Sequence, residues 1–280
     1  MKNHFSIKHR FILFLVITVF LGSCTEFFAD IDLQDDWVVY TSDNIVLHTR
    51  PTDYPVTLSP TPEQAEGILA NQQFYYRIIQ DSIEKSFSDR VLIYLYNLEE
   101  AKELIGTDGG GHAIPKMNGF YYTFIPALAG YTDQYGVVNP FLGAHELVHV
   151  ITHRILGYPG TKLMSEGYAN WLDGGYARHD IEDIVVYYRD HEPDKVLTPD
   201  DLLEESISDE DIFYPNSGIL IRYLVHRYGV GVVNTLFPLP PETLKNRFEN
   251  LTGCTWEDMS SHYADYIDDL QESASLSPSP

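Results

Sequence analysis

Three histidines recur at four-residue intervals in "GAHELVHVITHRILG", residues 143–157: His145, His149 and His153. On a helix, side chains four residues apart have Cβ atoms about 5–6 Å from one another. Two such imidazoles can bind one Zn²⁺ with Zn–N distances of about 2.0–2.1 Å. His153 would lie about 12 Å along the helix axis from His145, too far to reach the same ion. We therefore predict that two of the three histidines bind a metal.

Glu146 indicates which two histidines these are. It precedes His149 by three residues, so it borders the same helix face, and its carboxylate can reach a water on the metal without binding the metal itself. His-Glu-x-x-His on a helix is typical of zinc hydrolases. We predict that His145 and His149 are metal ligands and that Glu146 is the general base. We expect His153 in the core or beside the ligands, where it could bond a backbone carbonyl.

The helix that carries these residues has recognisable ends. Asn139 is a favourable N-cap, Pro140 suits the first helical position, and Gly157 suits the position after the last turn. Nearly every other residue between them is apolar, which is typical of a buried helix.

A catalytic zinc needs a third protein ligand as well as an open position for water. One known arrangement of zinc ligands has glycine at position 152 and the third ligand, a histidine, at position 155. The sequence has Thr152 and Ile155 instead. Downstream, "KLMSEGYANWLDGG" predicts a second short helix that ends at Gly174 and can fold back antiparallel to the first. Its Glu166 is a candidate ligand. The alternative is a glutamate that only stabilises the start of this helix.

His145-Glu146-x-x-His149 followed by Ser165-Glu166-Gly167 resembles the gluzincin zinc metallopeptidases, a thermolysin- and aminopeptidase-like group that includes a small MA-like branch. The resemblance covers about residues 90–270 and is strongest at 143–171. It implies a zincin-like fold, one Zn²⁺, Glu166 as the third ligand and hydrolysis of peptides or proteins. It also implies that "GGGHAIPKMNGFYYTF" supplies an edge strand that lines the substrate cleft.

The same resemblance implies roles for two further positions. Similar peptidases use a tyrosine or histidine from the region of Tyr214 to stabilise the oxyanion, so Tyr214 is a second candidate catalytic residue; the alternative is a packing tyrosine. The family often has a carboxylate four residues after the third ligand, which supports a ligand histidine. This chain has Asn170 there, whose amide can accept a hydrogen bond but makes the histidine less basic.

The order of the predicted elements favours an α+β fold, with a mixed N-terminal sheet, an active-site helix and a mainly helical C-terminal part. "WVVY", "NIVLH", "RVLIYLY" and "GFYYTFI" are predicted strands. Thr61, Pro62 and Gln64 begin a predicted helix with a capping box. We predict a single domain over residues 37–271 and a disordered tail over 272–280.

The first residues are typical of a processing signal. Three basic residues precede a short apolar run and "LGSC", which resembles a bacterial lipobox ending at Cys24. We predict a lipoprotein signal peptide over 1–23, a tether over 24–36, and a lipid-anchored protein of the bacterial cell envelope, on the outer membrane. The alternatives are a plain secretory signal and a buried segment.

The charge balance bears on partners. With 18 Lys and Arg against 41 Asp and Glu, the formal net charge is -23, so nucleic acid is excluded as a partner. Cys254 is the one cysteine left after the predicted signal, so an intrachain disulfide is excluded, and we expect an inert buried thiol. The sequence leaves the oligomeric state open. A rival hypothesis is a non-catalytic envelope lipoprotein that uses a zincin fold to bind a partner.

Overall fold

The computed structural model describes residues 37–51, 59–97, 100–102, 110–124, 132–138, 141–177, 179–204 and 207–271. The described residues from Val39 onward form one compact unit. The predicted signal peptide, the tether with Cys24 and the tail lie outside the described residues. No helix in the described part of the chain is both long and apolar enough to cross a bilayer.

The N-terminal part forms a mixed five-stranded sheet in the order β1-β2-β3-β5-β4. Strands β2, β3 and β5 run parallel to one another, and β4 pairs antiparallel with β5. This confirms the predicted mixed sheet. Its strands are β1 (Val38–Thr41), β2 (Ile45–Thr49), β3 (Val91–Tyr96), β4 (Gly111–Ile114) and β5 (Gly119–Thr123).

Helix α1 (Pro62–Ile83) begins where the sequence predicts. The Thr61 hydroxyl accepts from the Gln64 amide while the Gln64 side chain accepts from the Thr61 amide, and Pro62 occupies the first position. This capping box satisfies two amides that a helix start leaves without partners. One face of α1 is buried against the sheet and the next helix, where Ile68 and Ile79 join the core.

The rest of the described chain is mainly helical, also as predicted. A short hairpin, β6 (Gly175–Tyr176) and β7 (His179–Asp180), interrupts it. The helices are α2 (His145–Leu156), α3 (Lys162–Asp173), α4 (Ile181–His191), α5 (Pro199–Leu203), α6 (Glu210–Tyr228), α7 (Val230–Leu236), α8 (Pro241–Thr252) and α9 (Trp256–Asp269).

Asn139 and Pro140, the predicted cap and first position of α2, lie outside the described residues, and the prediction that the next four residues are helical is wrong. The helix begins at His145, because Phe141 and Gly143 adopt positive φ angles of 50° and 64°, which a right-handed helix cannot contain. The buried Gln72 side chain of α1 donates to the Gly143 carbonyl at 2.7 Å and fixes this turn. The end at Gly157 agrees with the prediction, and six of the twelve residues of α2 are buried.

Helices α3 and α6 pack unusually close to each other. A Cβ added to Gly167 would lie 2.9 Å from the Ser217 carbonyl oxygen, and one added to Gly218 would lie 2.9 Å from Asn170 Cβ. Two glycines at one crossing let the backbones approach to this distance. The crossing brings Tyr214 of α6 beside the helix that carries Glu166.

Candidate metal centre

Three predicted ligands converge at one point. His145 and His149 reach it from successive turns of α2, and Glu166 reaches it from the first turns of α3. The two imidazole Nε2 atoms are 3.2 Å apart, and Glu166 Oε2 lies 3.4 Å from each of them. Among the described residues, these three form the one cluster of histidine, cysteine or carboxylate groups that could hold a metal ion.

The spacing of these donor atoms matches a tetrahedral zinc site. Ligand atoms at tetrahedral corners, each about 2.0–2.1 Å from the ion, are about 3.3–3.4 Å apart. The observed separations of 3.2, 3.4 and 3.4 Å fall at this value without any rearrangement. Two imidazoles and one carboxylate are also a donor set that zinc accepts, and three protein ligands leave the fourth corner open.

The electrostatics of the cluster favour a cation. Burial alone would lower the pKa of His145, but the Glu166 hydrogen bond and the charges of Glu146 and Glu166 raise it to about 9. Burial alone would raise the pKa of Glu166, whereas the two imidazoles hold it well below its ordinary range. A carboxylate kept ionised in a half-buried site attracts either a proton or a metal ion to the histidines.

Glu146 stands beside this cluster but is not part of it. Its side chain lies under the edge strand β4, where a Cβ on Gly111 would come within 2.6 Å of Glu146 Cγ. Tyr122, the cross-strand partner of Gly111, closes the same space. The structure thus keeps a carboxylate next to the metal ligands, with a glycine of the sheet edge directly above it.

Asp173, at the end of α3, holds the beginning of α2. Its Oδ1 accepts a hydrogen bond from the Ala144 amide at 2.5 Å. Burial raises the pKa of Asp173, while the charge on His145 and the hydrogen bond from Ala144 act in the opposite direction. One helix therefore supplies both the third candidate ligand and the cap of the helix that carries the other two.

His153 lies apart from the metal cluster. Its ring is packed against His149, Tyr158 and Phe237 at centroid distances of 5.7, 5.9 and 6.0 Å. Neither ring nitrogen has a hydrogen-bond partner in the described part of the chain, so the expected bond to a backbone carbonyl is wrong. Burial, and then the charge on His149, lower the pKa of His153 to about 4, which keeps this packed ring neutral.

The expected support of a ligand histidine by Asn170 is also absent from the described contacts. The Asn170 amide donates along its own helix to the Glu166 carbonyl at 2.8 Å, and its Oδ1 has no partner among the described residues. The second ring nitrogen of His149, Nδ1, lies 3.4 Å from the Ser165 hydroxyl oxygen. Asn170, one helical turn after Glu166, therefore faces α6 rather than α2.

Tyr214 lies at the edge of the cluster. Its ring is 6.1 Å from the His145 ring and 5.5 Å from the Tyr176 ring, and Lys162 Nζ is 5.4 Å from its centre. Burial, and then the charges of Glu166 and Glu210, raise the pKa of Tyr214, so the phenol keeps its proton. A protonated phenol is a hydrogen-bond donor, as an oxyanion site requires.

The sequence analysis missed Gly111, Ser165 and Asp173. Asp173 follows Glu166 by seven residues, or two helical turns, so the two carboxylates lie on one face of α3. This spacing is visible in the sequence and could have identified Asp173. Gly111 belongs to the stretch that the resemblance implied would line the cleft, but its place beside Glu146 was missed because its neighbours come from another strand and another helix. Cys254 is half-buried rather than buried, and its Sγ accepts from the Tyr228 hydroxyl at 3.5 Å.

The sequence matches no family model, and a search of curated proteins finds no significant match.

Proposed function

We propose that the protein is a zinc-dependent peptidase with the ligand arrangement of the gluzincins. One observation carries this proposal: His145, His149 and Glu166 present three donor atoms at the separations of a tetrahedral zinc site, with Glu146 adjacent and outside the ligand set. A purely structural zinc site is normally closed by four protein ligands. Three ligands and a neighbouring carboxylate are the composition of a hydrolytic site.

Each residue has a defined role in the proposed reaction. Zinc held by the three ligands would act as a Lewis acid and lower the pKa of a bound water to about 7. Glu146 accepts a proton from the attacking water while the water oxygen adds to the peptide carbonyl carbon. Glu146 then gives that proton to the leaving amine nitrogen as the C–N bond breaks. The Tyr214 phenol donates to the carbonyl oxygen as negative charge develops there.

The edge of the sheet supports a peptide as the substrate. Strand β4 pairs with β5 on one side and ends the order of the described sheet, so its other side can accept a further strand. An extended peptide bound there would form main-chain hydrogen bonds with β4. Gly111 would place that peptide next to Glu146.

The proposed peptidase is held at the cell envelope by lipid on Cys24. The order of basic residues, apolar run, small residues and cysteine in residues 1–24 supports this location. The acidic composition agrees with a substrate other than nucleic acid.

The proposal is tested by three single variants, read by zinc content and by turnover of a broad peptide library. Glu146→Gln should retain one zinc per chain and lose about 10²–10⁴-fold in rate, since it removes the general base. Glu166→Gln should weaken zinc binding itself, because it removes a charged ligand. His153→Gln is the matched control, since its ring packs near the ligands without joining them, and should retain both zinc and rate.

Two outcomes would contradict the proposal. Undiminished turnover in Glu146→Gln would exclude this carboxylate as the base. Stoichiometric zinc with no turnover of any library peptide by the unmodified protein would favour the rival hypothesis, an envelope lipoprotein that binds a partner without catalysis.

A further inference from the structure

Helix α6 contains a proline directly after Tyr214, the proposed oxyanion donor. Pro215 is buried and lies inside the helix rather than at its first position. A proline has no N–H, and its ring crowds the carbonyl four residues earlier, so α6 lacks the backbone bond to the Asp211 carbonyl. The residue before a proline is also disfavoured in the helical region, and here that residue is Tyr214. The turn that carries Tyr214 therefore needs support from outside its own backbone.

A tyrosine of a neighbouring helix replaces the missing donor. The Tyr188 hydroxyl of α4 donates to the Asp211 carbonyl oxygen at 3.0 Å. This is the carbonyl that would accept from residue 215 if that residue were not a proline. The bond is partly buried, and Tyr188 is only 9% exposed. The backbone group that Pro215 leaves without a partner thus obtains one from α4, as a shielded carbonyl requires.

The side chain of the same aspartate is held from the β6–β7 hairpin. Asp211 Oδ1 accepts from the Tyr176 hydroxyl at 2.7 Å. The Tyr176 ring also packs edge-on against the Tyr214 ring, with centroids 5.5 Å apart and an angle of 86° between the planes. Edge-to-face packing is a preferred geometry for two aromatic rings. Two tyrosine hydroxyls therefore hold Asp211, one at its carbonyl and one at its carboxylate; we refer to these two bonds as the Asp211 contacts.

Beyond the proline, α6 is held by a different residue. The Asn216 side chain is fully buried and donates to the Lys195 carbonyl at 3.0 Å and to the Ile212 carbonyl at 2.8 Å. Neither bond involves Asp211. The Asp211 contacts therefore act on the part of α6 before Pro215, whereas Asn216 fixes the part after it independently.

We propose that Tyr188 and Tyr176 are positioning residues that hold the Tyr214 phenol at the metal centre through the Asp211 contacts. The Tyr214 ring is 6.1 Å from the His145 ring, so a small rotation of the first turn of α6 would move the phenol relative to the ligands. A displacement of about 1 Å in a catalytic group has a large effect on rate. This inference rests on the proposed peptidase function. Both residues act through Tyr214 and not on the substrate.

The test uses the full-length protein in detergent, loaded with zinc, and the library peptide that it cleaves fastest. Tyr188→Phe removes one hydroxyl and leaves the Asp211 carbonyl without this donor. We expect kcat to fall about fivefold, the scale of one lost hydrogen bond, and Tyr176→Phe to act in the same direction. KM and zinc content should not change, because Tyr214 is proposed to donate only as negative charge develops in the transition state.

A double variant distinguishes positioning of Tyr214 from a general effect on the fold. In the Tyr214→Phe background, Tyr188→Phe should cause no further loss of kcat, since the donor that it positions is already gone. The matched control is Tyr228→Phe, which removes a hydroxyl from the other end of α6, 3.5 Å from Cys254 Sγ, and should retain full kcat. Full kcat in Tyr188→Phe or in Tyr214→Phe would overturn the inference, as would equal losses with and without the Tyr214 hydroxyl.

Hydrogen exchange separates failure of this inference from failure of the proposed function, because it needs no turnover. Amide exchange of residues 210–216 is followed by mass spectrometry in the zinc-loaded protein. Tyr188→Phe should speed this exchange about fivefold, and Tyr228→Phe should not. Faster exchange in Tyr188→Phe, with no turnover of any peptide by the unmodified protein, supports the Asp211 contacts and overturns the peptidase. Unchanged exchange overturns the inference, and the peptidase then stands if the unmodified protein cleaves peptides.

Discussion

His145 is the residue at which protons and metal ions compete most directly. Its imidazole faces two carboxylates, and its pKa is raised to about 9 although burial acts against this. A zinc ligand must be the neutral imidazole. At neutral pH, binding of an ion therefore requires release of a proton from the pair formed by His145 and Glu166.

Zinc affinity should consequently rise with pH up to about 9. Below that pH one proton leaves for each ion bound, so the Kd should fall about tenfold per pH unit between about pH 6 and pH 8. Competition with a chromophoric chelator at several pH values measures this slope. His153→Gln should show the same slope as the unmodified protein. A Kd that does not change over this range would contradict the assignment of His145 as a ligand.

Gly111 is the residue that leaves room for the proposed base. Gly111→Ala would press a methyl group into Tyr122 and Glu146, since its Cβ would lie 2.6 Å from Glu146 Cγ. We expect peptide turnover to fall by about tenfold or more, because a displacement of about 1 Å in a catalytic group has a large effect on rate. Zinc content should not change, since neither clash involves a ligand.

The matched control for this variant is Gly67→Ala in α1. An added Cβ there meets nothing within 4 Å, and alanine is favoured over glycine inside a helix. It should therefore retain full turnover. Full turnover in Gly111→Ala would show that Glu146 does not occupy the position assigned to the base.

At the scale of elements, the site depends on how α2 and α3 are joined. Helix α2 supplies two of the three candidate ligands and begins at the first of them, with a cap from outside its own sequence. Helix α3 supplies Glu166 and, two turns later, Asp173 as that cap. A carboxylate at a helix N-terminus interacts favourably with the helix dipole and with unpaired amides.

Asp173→Ala should therefore lower stability and weaken zinc binding together. Loss of an N-cap acceptor costs about 0.5–2 kcal/mol in free energy of unfolding. Asp173→Asn keeps an oxygen that can accept from the Ala144 amide, so it should retain most of the stability and zinc affinity. Guanidinium unfolding and chelator competition measure the two quantities. If Asp173→Ala had the same stability and the same zinc affinity as the unmodified protein, the cap would not position the ligands.

At the scale of the whole molecule, one compact unit of the described residues from Val39 onward contains strands β2 to β5 and the helices that carry the candidate ligands. The segment that we propose as its anchor, residues 1–24, lies outside the described residues. Anchoring and catalysis should therefore be separable. A variant without the anchor should keep its zinc.

Cys24→Ala should abolish fatty-acid incorporation and release the protein from the membrane fraction while zinc content stays at one per chain. Metabolic labelling, fractionation and metal analysis measure these three properties. Cys254→Ala is the matched control, because this second cysteine lies in the compact unit. It should remain labelled and membrane-bound. Absence of label in the unmodified protein would show that the lipobox interpretation is wrong.

Much of the fold could be predicted from the sequence because the signals are short-range. The Thr61–Gln64 capping box and the left-handed Gly174 after α3 are encoded within a few residues, and the structure has both helix ends where the sequence predicts them. Enrichment in β-branched and aromatic residues predicted the strands, and the position of Glu146 selected His145 and His149 over His153. Each of these features depends on backbone conformation within one element.

Only the tertiary structure decided the rest. The sequence predicted that α2 begins at Pro140, whereas contacts from α1 and α3 and the positive φ of Phe141 move its start to His145. Glu166 was a candidate by resemblance, and its 3.4 Å distance to both histidines arises from the packing of α3 on α2. The contacts of Gly111 with Glu146 and of Asp173 with Ala144 also join residues far apart in the chain. Such contacts depend on how several elements fill one volume, and no local pattern encodes that.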